Sequence, residues 1–252
     1  MKDDRSLQEL ELLVVARLYG LAEARGVVAK HLQDQTLHET QEVASVEEQP
    51  RTDALHPLAS RASRLVPSMN WDELRETVRT CQLCGLCKQR KQAVFGVGHE
   101  SAPWLFIGEG PGADEDEQGE PFVGQAGRLL DSMLAAVGIQ RGREAYIANV
   151  VKCRPPGNRT PTPQEAAACA PYLDRQIELI KPRLIVALGK TAATRLLDTE
   201  ASLASLRGRV HRYKGTPLVV TYHPAYLLRS LPEKAKAWED LVFARRVLRE
   251  SA

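Results

Sequence analysis

Residues 70–250 alternate between two hydrophobic patterns: short continuous apolar runs, and apolar positions spaced by three and four. Continuous runs are typical of strands buried on both faces of a parallel sheet, and the wider spacing is typical of amphipathic helices. The predicted strands are Trp104–Ile107, Ala145–Val151, Arg183–Leu188 and Pro217–Tyr222, with a further short one at Arg209–Tyr213. The alternation predicts a three-layer α/β fold, in which helices cover both faces of a short parallel sheet of about four strands.

The helical spacing places a helix between most of these strands. The predicted helices are Trp71–Thr80, Gly127–Val137, Pro163–Ile180, a short one from Gly189 to Leu197, and Glu233–Leu248. The third has the clearest start, because Thr162 stands at its N-cap and Glu165 three residues later, which is the spacing of a capping box. Pro163 suits the first helical position, where its missing N–H costs nothing.

The first 67 residues differ from this pattern. Apolar residues spaced by three and four between residues 6 and 25 predict an amphipathic helix, here assigned to a segment 1–29. Residues 30–67 are polar and acidic without a period and are predicted to be a linker, which leaves 68–252 as the α/β domain. We expect the helix to dock or self-associate, with an unidentified protein partner as the alternative, and we expect the protein to be a monomer.

Composition narrows the class of protein. Hydrophobic residues at 43% and charged residues at 26% describe an ordinary soluble domain, and no apolar run reaches the ~18 residues of a membrane-spanning helix. The opening residues mix both charges without an apolar stretch, so a cytoplasmic protein without a membrane partner is expected. Residues 1–66 carry eight basic and eleven acidic side chains, and the other 186 carry 26 and 21. This mild basic excess permits nucleic-acid binding without arguing for it.

A glycine turn follows the strand Trp104–Ile107, where Gly108, Gly110 and Gly112 alternate with other residues. Such a turn at the carboxyl edge of an open parallel sheet is where α/β folds bind ligands. A dinucleotide site is disfavoured because the third glycine of the G-x-G-x-x-G pattern is missing and an acidic run, Asp114–Glu120, would repel a pyrophosphate. We predict that the acidic run is a solvated loop rather than a metal site.

Polar side chains also follow the other strands. Asn149 lies near the end of an apolar strand, where its amide can read a base edge or hold a backbone turn. His223 follows the last predicted strand, where a catalytic or anion-stabilising imidazole and a structural histidine both fit. Several arginines in or beside loops can contact phosphates. They are Arg154, Arg159, Arg195, Arg207, Arg209, Arg212 and Arg229.

The five cysteines all lie in the α/β domain: Cys81, Cys84, Cys87, Cys153 and Cys169. In a cytoplasmic protein they favour a metal or redox role over disulfides. The first two form a C-x-x-C pair that can chelate one ion, and the last two can supply a third and a fourth thiolate. The spacing leaves open zinc or an iron–sulfur cluster, and whether Cys87 replaces one of the four. Cys169 also fits a small core residue on a helix.

Together these segments resemble the uracil-DNA glycosylase superfamily, most closely the family 4 enzymes that carry a [4Fe–4S] cluster. The matching segments read CQLC and VFGVG, then GEGPGADEDEQGEPFVGQAGRLLD, NVVKCRPPGNRTPTPQEAAACAPYL, LIVALGKTAA and TYHPAYLLR. The match covers about residues 70–250 in the family's order. It implies that Cys81, Cys84, Cys153 and Cys169 hold the cluster, with Cys87 spare.

The resemblance also implies a catalytic site. Phe122 would stack on the flipped uracil, and Asn149 would read its pyrimidine edge. Glu109 stands where other glycosylases activate water, and His223 and the backbone N–H of Gly110 would stabilise the departing uracil anion.

Further expected contacts to DNA lie in two loops. Asn158 is expected near the active site with a catalytic role, and Arg154 and Arg159 flank it as phosphate contacts. Leu227, Leu228 and Arg229 resemble the loop that enters the helix where the base has left.

Two functions from different classes follow from these residues. The first is a glycosylase that removes uracil from single- and double-stranded DNA. The second is a catalytically silent adaptor on the same fold that binds nucleic acid or protein. Residues 1–66, which the compact family members lack, are the reason for this alternative. The presence of Glu109, Phe122, Asn149 and His223 together favours the enzyme.

Overall fold

The computed structural model of the protein describes residues 65–250. The strands are β1 (Val97–Gly98), β2 (Trp104–Gly108), β3 (Ala145–Asn149), β4 (Leu184–Leu188), β5 (His211–Tyr213) and β6 (Thr216–Thr221). Within the described residues they form one sheet in the order β1-β3-β2-β4-β6-β5. The four central strands run parallel, whereas the short edge strands β1 and β5 pair antiparallel with their neighbours. The predicted α/β fold with about four parallel strands is confirmed, and β1 is an addition to the prediction.

The central strands follow from their composition. Every residue of β2, β3 and β4 is buried, as a sheet covered on both faces requires. The register pairs Gly108 at the end of β2 with Asn149 at the end of β3. This pairing brings the glycine turn and the amide to the same point of the sheet edge.

The described residues form eight helices, of which five match the predicted ones to within a few residues and three short ones were not predicted. They are α1 (Trp71–Arg79), α2 (Ala113–Gln118), α3 (Gln125–Ala136), α4 (Pro163–Ile180), α5 (Lys190–Leu197), α6 (Leu203–Leu206), α7 (Pro224–Leu227) and α8 (Glu233–Glu250). The predicted capping box of α4 is present, since Thr162 accepts a hydrogen bond from the N–H of Glu165 and the Glu165 carboxylate accepts one from the N–H of Thr162. Short 3₁₀ turns occur at Val66–Ser68, Gly85–Lys88 and Pro156–Asn158.

Two hydrophobic clusters cover the two faces of the sheet and complete the three layers. One cluster packs α1, α4 and α5 on the sheet, through residues such as Leu74 and Ile177. The other packs α3 and α8 on the opposite face, through residues such as Leu134 and Leu241. The strand ends remain uncovered at the carboxyl edge of the parallel strands, where a ligand can approach.

The acidic run is not a solvated loop, and that prediction was wrong. It forms α2, whose Asp116 is only 3% exposed and accepts hydrogen bonds from the backbone N–H of Lys91 at 3.0 and 3.1 Å. Carboxylates near a helix N-terminus are stabilised by backbone N–H groups and by the helix dipole. Hydrogen bonds to the backbone therefore outweigh solvation for part of this run.

The predicted N-terminal helix, with its partner, and all but the last residues of the predicted linker lie outside the described residues. Within residues 65–250, no helix combines the length and apolar character needed to cross a membrane.

Candidate active site at the carboxyl edge of the sheet

A cavity of about 490 Å³ opens at the carboxyl ends of β2, β3 and β6. Its walls contain Glu109, Gly110, Pro111, Gly112, Glu115, Phe122, Ala126, Asn149, Pro155, Asn158, Arg159, Thr160, His223, Ala225, Tyr226 and Arg229. The cavity therefore brings together eight of the predicted active-site and DNA-contacting residues: Glu109, Gly110, Phe122, Asn149, Asn158, Arg159, His223 and Arg229. A mostly preformed cleft with a few convergent polar groups is typical of a small-ligand site.

Asn149 forms the back of the cavity. The residue is 2% exposed, and no donor among residues 65–250 reaches its Oδ1 atom. A buried acceptor without a partner costs roughly 1–3 kcal/mol, so a ligand that supplies a donor recovers this loss. The backbone turn that was the alternative role for Asn149 does not use this oxygen.

Gly108 permits Asn149 and Phe122 to approach the same point. A Cβ atom on Gly108 would lie 2.5 Å from Oδ1 of Asn149 and 2.6 Å from the ring of Phe122. Any larger residue would push the amide and the ring apart, which explains a glycine at this end of β2.

Phe122 adopts a backbone conformation that non-glycine residues seldom adopt, with φ at 56°. Gly127 makes this possible, because a Cβ atom there would collide with the carbonyl oxygen of Phe122. Arg141 donates to the same carbonyl at 2.8 Å, to the carbonyl of Pro121, and to Glu120 at 2.9 Å. The ring is therefore held at the cavity wall by surrounding structure, as strained residues at functional sites are.

Glu115 connects the two loops that carry Gly110 and Phe122. Its carboxylate accepts a hydrogen bond from the N–H of Gly112 at 3.0 Å, and others from Val123 at 3.0 Å and Gly124 at 3.1 Å. One side chain thus fixes both walls of the cavity. This role was not predicted from the sequence, although Glu115 stands three residues after Gly112, at the spacing of a helix-capping glutamate.

His223 lines the cavity at the start of α7, with its ring centroid 5.5 Å from that of Phe122. Its Nδ1 accepts a hydrogen bond from the N–H of Ala225 at 3.2 Å. The pKa of His223 lies at about 4, lowered first by burial of the ring and then by the positive charge of Arg229, while Glu115 acts in the opposite direction. The imidazole is therefore neutral near pH 7, with its proton on Nε2, the nitrogen that can donate to a ligand.

Glu109 is oriented by a residue that the sequence analysis did not single out. Thr191, in the first turn of α5, donates a hydrogen bond from its hydroxyl to the Glu109 carboxylate. The contact joins the glycine turn after β2 to the helix after β4. No local spacing predicts it, because it depends on the order of strands in the sheet.

The loop after β3 contributes polar groups at the rim of the cavity. Asn158 is exposed and accepts a hydrogen bond from Nε of Arg154 at 2.8 Å. Arg159 makes a bidentate ion pair with Glu165, at 2.8 and 2.7 Å. Its charge is therefore partly balanced within the protein, whereas Arg229 is an exposed residue at the rim.

Four of the five thiols meet at a second, small pocket beneath the loop at residues 81–90. That pocket is lined by Cys81, Cys84, Cys153 and Cys169 among other side chains, and Cys87 is not part of its described wall. Within residues 65–250, no three Cys, His, Asp or Glu side chains come close enough to hold a single metal ion.

Hydrogen-bond donors point at these sulfurs. Cys153 accepts from Arg90 at 2.8 Å, and Cys169 accepts from the N–H of Lys152 at 3.3 Å. Burial raises the pKa of Cys153 to about 11 and that of Cys169 to about 12, so both are neutral thiols at pH 7 without a metal. The four thiols that line this pocket are the residues that could hold a metal group.

A family model described as the uracil DNA glycosylase superfamily matches residues 95–242, which include the walls of the large cavity. The chain belongs to the uracil-DNA glycosylase superfamily. A type-4 uracil-DNA glycosylase from Archaeoglobus fulgidus is 45% identical over 165 residues, which are 62% of this chain and 82% of that protein. Type-4 uracil-DNA glycosylases from Pyrobaculum aerophilum and Thermotoga maritima are each 44% identical over 69% of this chain, which spans 92% and 93% of their lengths.

In this member of the superfamily, one predicted DNA contact does not fit its position. Leu227 is 1% exposed and packs in the core beside α3 and α8, whereas Leu228 is 41% exposed. The side chain of Leu227 cannot enter DNA from this conformation, so the prediction of Leu227 as a DNA contact was wrong. The sequence could not separate the two, because both are leucines at the end of a short helix.

Arg207 is also unavailable as a phosphate contact. Its guanidinium binds the carboxylate of Asp240 through Nε at 2.7 Å and through a second nitrogen at 3.0 Å. Asp240 is 3% exposed, so this ion pair is part of the fold rather than of a nucleic-acid surface.

Proposed function

We propose that this protein is a uracil-DNA glycosylase, which flips uracil out of DNA and hydrolyses its N-glycosidic bond to leave an abasic site. The observation that carries the proposal is the buried Oδ1 of Asn149, which has no donor among the described residues and lies in a cavity beside an aromatic ring. The membership of the superfamily agrees with it.

Asn149 supports recognition of uracil by its hydrogen-bonding edge. The N3–H group of uracil can donate to Oδ1, and a neighbouring uracil carbonyl can accept from the Asn149 amide N–H. Cytosine presents an unprotonated N3 at that position, so its lone pair would face Oδ1 without a proton between them. A cavity built around such an acceptor discriminates strongly against a base without the donor.

Phe122 supports the extruded base on its face. Removing a base from the stack costs a few kcal/mol, and stacking on an aromatic side chain returns roughly 1–3 kcal/mol. The fixed position of the Phe122 ring means that little conformational entropy is lost when the base arrives.

The bond broken in the reaction is that between C1′ of the sugar and N1 of uracil. The electron pair leaves with uracil as an anion, water adds its oxygen to C1′, and the proton of that water passes to Glu109 or to solvent. Neutral His223 suits this step, because its Nε2–H can donate to the developing negative charge, as can the backbone N–H of Gly110. The Thr191 hydroxyl orients the Glu109 carboxylate that would position the water.

We also propose that Cys81, Cys84, Cys153 and Cys169 hold a [4Fe–4S] cluster. Their place around one pocket, and the donors from Arg90 and Lys152 to two of the sulfurs, support this set. Bound there, the cluster would connect the loop at residues 81–90 with the segment that follows β3 and with α4, which makes a structural role the preferred one.

DNA would approach at the rim of the cavity. Arg154 and Arg229 can contact phosphates on either side of the flipped nucleotide, and Leu228 presents an exposed apolar side chain nearby. Arg159 would first have to exchange its ion pair with Glu165 for a phosphate. No observation favours the alternative of a catalytically silent adaptor.

The test uses end-labelled oligonucleotides that contain one uracil, both single-stranded and paired with guanine or adenine, with matched thymine and cytosine controls. The protein is incubated with each, and abasic sites are cleaved with alkali. We expect strand scission at uracil alone. A protein with intact cofactor that gives no scission above background with any uracil substrate would overturn the proposal.

A further inference from the structure

Tyr226 lies at the mouth of the cavity, and neither uracil recognition nor the proposed hydrolysis uses its side chain. We infer that Tyr226 stacks on the DNA base next to the flipped nucleotide, and that Tyr222 and Arg207 hold its ring in position. This inference rests on the proposed function, since it concerns DNA from which a base has been extruded.

Tyr226 is placed where the extruded base would leave a gap in the base stack of the DNA. It follows His223 by three residues in α7, lines the cavity, and leaves 41% of its surface exposed. Leu227, the next residue, is buried in the core and cannot fill the gap. Tyr226 therefore presents the large flat side chain at this point of the rim.

The ring of Tyr226 is not free to turn away. It stacks on Tyr222, with ring centroids 5.4 Å apart and planes inclined by 17°. The guanidinium carbon of Arg207 lies 4.6 Å from the centroid of the Tyr222 ring. Aromatic stacking and cation–π contacts of this geometry stabilise one orientation of the rings.

Arg207 in turn is fixed in the fold. It binds both oxygens of buried Asp240 on α8, and it donates to the carbonyl of Lys236 at 2.7 Å. A continuous series of contacts thus runs from the core through Arg207 and Tyr222 to the exposed ring of Tyr226. This rigidity is what a wedge needs, because a preordered side chain loses little entropy on binding.

The chemistry of the partner follows from the gap. When a nucleotide leaves the duplex, its neighbours expose an apolar base face, and an aromatic ring can cover that face whatever the base is. Single-stranded DNA has little stacking to lose, so the benefit of Tyr226 should fall mainly on duplex substrates. Stacking of one base on an aromatic side chain corresponds to roughly 5- to 150-fold in an equilibrium constant.

The experiment compares single-turnover uracil excision from duplex and single-stranded oligonucleotides for the wild type, Tyr226→Ala and Tyr226→Phe. Leu231→Ala serves as a matched control, because Leu231 is a 61% exposed apolar residue outside the described cavity wall. We expect Tyr226→Ala to lower the ratio of duplex to single-strand rates at least 5-fold, and Tyr226→Phe and Leu231→Ala to keep the wild-type ratio. Equal rates, or equal losses on both substrates, would overturn the stacking role.

A second readout reports the contact itself. The substrate carries 2-aminopurine beside the uracil, and its fluorescence is measured in the complex under conditions too brief for turnover. We expect lower emission with the wild type than with Tyr226→Ala, because stacking quenches this base. Tyr222→Leu should reproduce part of the rise in emission seen with Tyr226→Ala. If the Tyr222→Leu complex shows the same emission as the wild-type complex, Tyr222 does not position Tyr226. If the wild-type protein excises uracil from none of the substrates, the proposed function itself is wrong.

Discussion

The hydroxyl of Thr191 donates a hydrogen bond to the carboxylate of Glu109 across 82 residues of sequence. The contact is possible because β2 and β4 are neighbours in the sheet, so that the turn after one strand meets the helix after the other. Glu109 is thereby held in one orientation at the cavity wall, where it would position the attacking water.

Thr191→Val removes this bond while keeping the shape of the side chain. A hydrogen bond to a charged group is worth roughly 1.5–3 kcal/mol, so we expect single-turnover excision to slow by about tenfold or more. Thr191→Ser, which keeps the hydroxyl, should retain most of the rate. Wild-type excision by Thr191→Val would mean that Glu109 needs no such orientation.

His223 should make stability depend on pH in a defined window. The pKa of its ring is lowered from 6.5 to about 4 in the folded protein, so the unfolded chain binds more protons between these values. Its contribution to stability is therefore present above about pH 6.5 and is lost as the pH falls towards 4. Chemical denaturation at a series of pH values measures this loss, and it should be smaller for His223→Gln.

The same lowered pKa predicts that excision does not depend on His223 protonation between pH 6 and 8. A single-turnover pH profile that rises with a midpoint near 6.5 in the wild type, and loses that midpoint in His223→Gln, would show instead that the imidazole is charged in the free enzyme.

Glu115 and Glu117 lie in the same short helix but have different surroundings, which makes them a matched pair. Glu115 accepts three backbone hydrogen bonds, whereas Glu117 is 61% exposed and pairs with Lys91 on the surface. We expect Glu115→Gln to lower the free energy of unfolding by roughly 1–3 kcal/mol, because one neutral oxygen must replace a carboxylate. Glu117→Gln should change it by about 1 kcal/mol at most. Urea denaturation compares them, and equal effects would argue that Glu115 does not fix the two loops.

How much of this arrangement is readable from sequence depends on the range of the interactions. The four central strands are readable because each is a continuous apolar run, and α4 is readable because its cap is local. The edge strand β1 has only two residues, and it is defined by its hydrogen-bonded pairing with β3 rather than by a hydrophobic pattern of its own. Two residues are too few to show a periodic pattern.

Some residues of the candidate site could likewise be predicted from the sequence, and others could not. Glu109, Asn149 and His223 stand at or just after strand ends, so topology brings them together once a parallel sheet is assumed. The supporting residues Thr191 and Arg141 act across distances in sequence that no spacing rule covers. The acidic run was wrongly predicted to be a solvated loop because charged residues are usually solvated. Here Asp116 and Glu115 accept hydrogen bonds from the backbone instead.

Substitution of single cysteines tests which of them are ligands of the proposed cluster. We expect the loss of bound iron and of the visible absorption of a cluster in each of Cys81→Ser, Cys84→Ser, Cys153→Ser and Cys169→Ser. Each of these variants should also be less stable, because metal binding contributes to folding. Cys87→Ser should keep both iron and absorption. Iron and sulfide analysis of the purified proteins measures this. Stoichiometric zinc in place of iron, or loss of iron on changing Cys87, would contradict the proposed set.

The central claim is that the buried Oδ1 of Asn149 reads uracil, and Asn149→Leu tests it most directly. Leucine has a similar size, and Oδ1 has no partner among residues 65–250 in the free protein, so the folded state should lose no hydrogen bond from it. Single-turnover excision from a uracil oligonucleotide is measured beside thermal unfolding. We predict unchanged or raised stability with excision slowed by roughly 10²-fold or more, as for other lost site hydrogen bonds. Excision within tenfold of the wild type by a stably folded Asn149→Leu protein would contradict the claim.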